Sequence, residues 1–317
     1  MDEDTSILGG EAFMENVDSE ETSFGFFINR NFDAMDLDLV IRRDEVSRKS
    51  IFNTVDVDRD FDSFSYLIGF GLDINEMTDL SLSFGTVERA PSSVELFMNG
   101  AHKAVQRFEV GDINLEAEES RNIDLGLNFD NGIYIGTLNL YRNNVDNYIY
   151  RQDTGATDNV GVEPSNLAIA NFVQKNAALE GYELQFGTNF NFLNGTLALS
   201  AGRDYVKGTF EDNTNIPRIV PARNIYSVSY SEDTLSVDIN LTDVKAQNDI
   251  SDDVTAGFDM LDLSIGKTLA MEGVEELKVT LFANNLLDEK ARNHSSTVKN
   301  EVPLPGRNIG ISFKVSL

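Results

Sequence analysis

Asn308-Ile309-Gly310-Ile311-Ser312-Phe313-Lys314-Val315-Ser316-Leu317 closes the chain and decides its fold. Successive side chains of a strand point to opposite faces. Ile309, Ile311, Phe313, Val315 and Leu317 therefore fall on one side, and Gly310, Ser312, Lys314 and Ser316 on the other. A strand with one apolar and one polar face needs a sheet beside it, and the same alternation recurs upstream. Phe64, Tyr66, Ile68, Phe70, Leu72 and Ile74 alternate with Ser63, Ser65, Gly69, Gly71 and Asp73, with Leu67 the one apolar residue on the polar side. Ile123, Leu125, Leu127 and Phe129 do the same, as do Tyr182, Leu184, Phe186, Phe190 and Phe192. Apolar residues at no point keep helical spacing over three turns, so the chain is all-β.

Turn chemistry at Asp130-Asn131-Gly132, Asn194-Gly195, Ser231-Glu232-Asp233 and Glu272-Gly273 divides the alternation into runs. These predict about thirteen antiparallel strands of about 10 residues, the length a tilted strand needs to cross a bilayer. The polar faces carry Ser, Asn, Asp, Gln and Gly. Such residues make a poor core for a soluble barrel and a normal wall for a wide lumen, so the apolar faces are expected outward, against lipid. Residues 90–118, 151–172, 210–222 and 287–304 read as long connections at one rim, opposite the tight turns, which is the asymmetry of an antiparallel transmembrane β-barrel.

Composition narrows the function. There are 53 acidic and 25 basic residues, a formal charge of −28, which excludes nucleic acid as a partner because phosphate contacts need a basic surface. The chain has no Cys, which suits passage through an oxidising compartment without disulfides. No run of 18 apolar residues provides a transmembrane helix. Residues 1–22 are acidic where a signal peptide would be basic and then apolar, so an exported barrel needs its signal upstream. With no Trp, the aromatic girdles fall to Phe and Tyr, with Tyr134, Tyr141, Tyr148, Tyr150 and Tyr205 as candidates.

Three stretches, in order, resemble TonB-dependent outer-membrane receptors over residues 20–317. The first runs Gly85-Thr86-Val87-Glu88-Arg89-Ala90-Pro91-Ser92-Ser93-Val94-Glu95-Leu96-Phe97. It continues through Asn99-Gly100-Ala101-His102 and Phe108-Glu109-Val110-Gly111-Asp112 to Leu115-Glu116-Ala117-Glu118. The second is Ile216-Pro217-Arg218-Ile219-Val220-Pro221-Ala222-Arg223. The third is Phe282-Ala283-Asn284-Asn285-Leu286-Leu287-Asp288 with Pro303-Leu304-Pro305-Gly306-Arg307. The last strand also resembles the terminal signal of outer-membrane barrels, with Leu317 in place of the usual aromatic. The resemblance implies an outer-membrane receptor with a 22-stranded barrel and an N-terminal plug. This chain would be its C-terminal part, with the plug and the N-terminal strands absent from it. It further implies active transport of a scarce nutrient, energised by a TonB complex acting through the missing N-terminal region.

Within that family the Asn99–His102 loop most resembles the zinc-uptake subgroup, which makes zinc, or a metal complex, the expected cargo. Imidazole is a good zinc ligand and carboxylates add oxygen donors, so His102, Glu109 and Asp112 are the candidate metal residues, with Glu95 nearby. His294, in a polar loop between the last two strands, reads as structural or exposed. Arg89, Arg223 and Arg307 stand at strand ends, where a guanidinium ties a loop to a carboxylate such as Glu95 or Glu119. Enzyme signatures are absent: there is no Gly-x-Ser-x-Gly, P-loop or His-Glu-x-x-His, and Asp252-Asp253 and Glu275-Glu276 are adjacent rather than convergent. No cofactor is expected. A passive porin-like barrel and a soluble β-rich carbohydrate-binding protein are the competing readings.

Overall fold

A computed structural model describes residues 2–5, 13–159, 164–248, 254–271 and 273–316. Leu317, Asp252, Asp253 and Glu272 lie outside the described residues. In chain order the strands are β1 Asp2–Thr5, β2 Val17–Phe32, β3 Met35–Phe52, β4 Val55–Asn75, β5 Thr78–Arg89, β6 Asn99–His102, β7 Arg107–Val110 and β8 Glu118–Asp130. They continue as β9 Tyr134–Thr157, β10 Ala168–Phe192, β11 Gly195–Phe210, β12 Arg223–Glu232, β13 Leu235–Val244, β14 Phe258–Met271, β15 Val274–Asn284 and β16 Asn308–Ser316. One short helix, α1, covers Ser93–Phe97.

The sheet is a meander in which β1 to β5 and then β8 to β16 pair in sequence order, each antiparallel to the next. Apart from the four-residue β1, that path has thirteen strands, the number the turn chemistry implies. β12 and β13 have 10 residues each, as expected, whereas β9 has 24 and β10 has 25, well beyond what a bilayer crossing requires. The span read as a loop over 151–172 is accordingly mostly strand, and the connection shrinks to 158–167. β1 and β16 end the order and do not pair with each other among the described residues.

Register rows fix the faces. Leu37, Phe70, Leu82, Leu125, Leu140 and Tyr182 pair across six strands in one row. Val228, Ile239, Leu263, Ala283 and Ile309 do so across the last five. Apart from the small Ala283, 7% exposed, these side chains do not close into a packed interior. Phe64 and Leu184 are each 49% exposed and Phe313 63%. None of Leu125, Leu127, Leu235, Val237 and Leu263 belongs to the buried core. Toward one rim this apolar band stops at charged pairs on the same face, Arg43 with Asp62 and Arg142 with Glu180. The opposite face runs Ser81, Gly126, Asn139, Glu183, Asp204 across neighbouring strands. Of the five candidate girdle tyrosines, Tyr134 and Tyr205 share the apolar face. Tyr141 sits opposite Gly181 on the polar face, and Tyr148 and Tyr150 pack into a buried cluster with Phe210.

Because the meander alternates direction, the connections sort by rim. The described parts of 90–117, 158–167, 211–222, 245–257 and 285–307 lie at one rim, and 33–34, 76–77, 131–133, 193–194 and 233–234 at the other. The exception is the two-residue turn Asn53-Thr54, which joins β3 to β4 at the long-loop rim. The long 245–257 connection, rich in Asn, Asp and Ser, is not among the four long connections expected from the sequence.

The expectation of antiparallel pairing throughout fails at one place. β11 reaches only as far as Phe210, opposite Ala177, so the backbone edge of β10 over Ala168–Asn171 is left open. β7, delivered there by the 90–117 loop, fills that edge in parallel, Arg107 to Ala168 through Val110 to Asn171. An open edge within a folded protein would leave amides unbonded, and the loop satisfies them.

Candidate functional site

The 90–117 connection is a folded unit at the long-loop rim. Ser92 caps α1 by accepting from the Glu95 amide, and the Glu95 carboxylate takes the Ser92 amide at 2.7 Å, a reciprocal capping box. The same carboxylate receives two bonds from Arg89, at 2.8 and 3.1 Å, while Arg89 Nε donates to Glu118 at 2.6 Å. Arg89 thus ties the exit of β5 to the entry of β8, using Glu118 rather than Glu119. Burial pushes the Glu95 carboxyl up, but the bonds from Arg89 and Ser92 outweigh it and leave it below its ordinary value. Arg223 and Arg307 make the corresponding ties to Asp204 and Asp288.

Leu96 and Phe97 are 0% and 1% exposed and join Leu115 against Val17, Val46, Phe61 and Ile149. Val17, Val46 and Phe61 lie on the polar face of β2, β3 and β4, in line with Ser19, Asp44 and Ser63. The loop therefore folds down onto the polar face, and each large apolar side chain it buries there contributes about 1.5–3 kcal/mol. Gly111 permits the closure: a Cβ there would come 2.6 Å from the Leu96 carbonyl, where the Gly111 amide donates to Met98 O at 2.7 Å.

The β6–β7 hairpin brings His102 to Glu109. The imidazole Nδ1 lies 2.8 Å from Glu109 Oε2, and Arg151 of β9 donates to the other oxygen. Glu109 is 2% exposed, and Phe13 stacks on the imidazole with ring centres 4.8 Å apart. Burial, and then the Arg151 charge, hold the His102 pKa below its ordinary 6.5, so the ring is neutral at pH 7. A carboxylate only accepts, so the Nδ1 proton is the one shared with Glu109, and Nε2 keeps its lone pair.

Asp112 does not join this pair. Its carboxylate closes a turn by accepting from the Asn114 amide at 2.8 Å and side chain at 3.0 Å. Among the described residues no group of three or more His, Cys, Asp and Glu is placed to hold a metal ion. Arg151, and the Arg107–Asp153 pair with bonds of 2.8 and 2.9 Å, were hidden from the sequence reading by assigning 151–172 to a loop. His294 is structural: it is 2% exposed, with Nδ1 2.8 Å from Thr255 Oγ1 and 3.4 Å from Lys299 Nζ. Asn285, 2% exposed, bonds through its side chain to Glu289 and Pro305 and so shapes the last long loop.

Known proteins share this architecture. The copper transporter OprC superposes with a TM-score of 0.77 at 18% identity, over 95% of this chain and 48% of its own. The ferric citrate transporter FecA gives 0.69 at 13% identity, over 96% and 46%. In sequence, hemoglobin-haptoglobin-binding protein A of Haemophilus influenzae is 27% identical over 217 residues, which is 66% of this chain and 20% of that protein. The chain thus spans about half the length of these solved structures and a fifth of the curated relative. The model of the TonB dependent receptor-like, beta-barrel family, a family of outer-membrane transport receptors rather than enzymes, matches residues 4–286, and the chain belongs to that family.

Proposed function

We propose that this chain is the C-terminal barrel portion of an outer-membrane receptor that takes up a scarce metal or metal complex, energised by a TonB complex acting through an N-terminal region outside this chain. The carrying observation is the family match over residues 4–286 on a sheet whose apolar face is unpacked and whose polar face is covered at one rim by its own loop. The remaining strands of a closed 22-stranded barrel and the plug belong to the same proposal. Outer-membrane lipid is the partner of the apolar face, and the cell outer membrane is the location. The names of the similar proteins, which refer to copper, ferric citrate and hemoglobin, favour a metal-bearing cargo. Zinc is the proposed ion because the neutral His102 keeps Nε2 available on an exposed loop, with Glu109 on its other nitrogen. Asp112 would have to leave its turn to add a third ligand.

Metal accumulation by cells making the full-length receptor tests the proposal. Zinc or iron accumulation that needs both the receptor and TonB supports it. Accumulation that needs the receptor and persists without TonB restores the passive porin-like reading.

A further inference from the structure

The projecting end of the β9–β10 hairpin and the 211–222 loop enclose a cavity of about 340 Å³ whose walls include Tyr150, Arg151, Lys175, Phe210, Asp212 and Arg218. That volume suits a small ligand or one end of a larger one. The loop is held rigidly. Ile216, 2% exposed, packs with Ala177 and Phe210, and Ile219 packs against the same cluster. Both isoleucines reach over Gly208, where a Cβ would come 2.9 Å from each Cδ1. Between these two anchors Arg218 is half-buried with φ of 63°, a region sparsely populated for residues other than glycine. Such a conformation persists only where its surroundings enforce it, and it is concentrated at ligand sites.

Charge pairing singles out the same residue. Lys175 Nζ lies 2.5 Å from Asp212, which also accepts from Thr214. Arg107 takes Asp153 and Arg151 takes Glu109. Arg218 has no hydrogen bond or ion pair with any described residue, although the chain carries 53 carboxylate side chains against 25 basic ones. Arg151 lines the same cavity with its Nε buried and unbonded, and the Arg218 charge bears on it. Asp153 also lines the cavity and its charge reaches both guanidinium groups, but its two oxygens are held by Arg107. Two guanidinium groups that repel one another, one without a direct hydrogen bond or ion pair and one with an unused N–H, thus leave room for a further negative group. Tyr150 and Phe210, with ring centres 4.6 Å apart, supply an apolar wall beside it.

We propose that Arg218 and Arg151 bind a carboxylate borne on an aromatic or apolar body that lies against Tyr150 and Phe210. This goes beyond the metal reading and stands whether or not His102 ligates the cargo.

The test titrates the full-length receptor in detergent with benzoate, its neutral match benzamide, and inorganic phosphate, followed by calorimetry. Arg218→Asn removes the charge while keeping a residue that tolerates positive φ, and Arg218→Lys keeps the charge without the planar fork. Saturable benzoate binding is expected, weakened about ten- to hundredfold by Arg218→Asn, as for a lost hydrogen bond to a charged group, and less by Arg218→Lys. Benzamide should bind no better than benzoate does to the Asn variant. Heat-modifiable electrophoretic mobility checks that the variants assemble; if they do not, benzoate against benzamide on the unaltered receptor decides. Equal binding of the two probes, no saturable benzoate binding, benzoate binding unchanged by Arg218→Asn, or binding of phosphate alone would each overturn the assignment.

Discussion

The wall of this sheet and its long-loop rim obey different rules. In the wall, the role of a residue follows from parity: Leu125 lies between Leu82 and Leu140 on the apolar face, and its neighbour Gly126 lies between Ser81 and Asn139 on the polar one. With the apolar face against lipid, as proposed, ladder hydrogen bonds hold the wall together and no apolar core is needed. At the rim the 90–117 loop builds a buried core like that of a soluble protein, with ionised groups inside it and contacts far apart in sequence. Glu109 and Arg151 are 42 positions apart, and Arg59 donates to the carbonyl of Leu115, 56 positions away. Local periodicity therefore reports on the wall, while the site depends on partners that only the folded loop brings together.

The largest expected effect breaks the rim. Arg151→Met leaves the Glu109 carboxylate, 2% exposed, with His102 as its only side-chain partner among the described residues and should weaken docking of the loop by about 3–5 kcal/mol. Faster hydrogen exchange over 99–115 in the full-length receptor would show it. Adding Glu109→Leu should recover most of the loss, since the cost is that of an orphaned charge. A double variant as loose as the single one would mean that Arg151 acts through packing.

The wall breaks differently. Leu125→Arg puts a charge in the middle of the apolar band and should cost about 2–4 kcal/mol, whereas Gln185→Arg, on the polar face, should cost about 0–1 kcal/mol. Refolding into bilayers along a denaturant series measures both. Equal costs would remove the assignment of the apolar face to lipid.

How much was legible divides along the same line. The thirteen long strands, their faces and the sorting of connections follow from period-two alternation and turn residues. Arg89 with Glu95 was also readable, because a strand-end arginine lies six positions from a carboxylate in a capping box. What the sequence could not show was strand length beyond about 10 residues. From Asn143 to Arg151 the polar, charged and aromatic residues of β9 lose the alternation, and a register shift in the β9–β10 pairing between Lys175 and Ala177 changes which residues share a face. That loss hid Arg151. His102 and Glu109 meet because a hairpin is local, while Asp112, three positions on, belongs to a turn that β-pairing does not control.

A smaller effect separates the two ends of the loop. Glu95→Ala removes both the box that starts α1 and the Arg89 clamp and should cost about 1–2 kcal/mol. Thermal melting of the full-length receptor, or hydrogen exchange over 90–98, reads it. Exchange over 99–110 should change less, because β7 is held independently by β10.

The smallest effect is a pH dependence confined to the hairpin. The folded His102 pKa lies below the 6.5 of a free imidazole, chiefly through burial and then through Arg151, so the unfolded or undocked loop takes up a proton more readily than the docked one. Docking is therefore strongest above pH 6.5 and weakens as the pH falls through that value toward the folded pKa, below which no further loss accrues. The imidazole is 30% exposed, so solvent screens the interaction and the effect is modest. Exchange protection over 99–110 should fall between pH 8 and pH 5 in the unaltered receptor and stay level in His102→Asn, while the wall strands of both keep their protection. A decline of the same size in His102→Asn would assign the pH response to other groups at the rim.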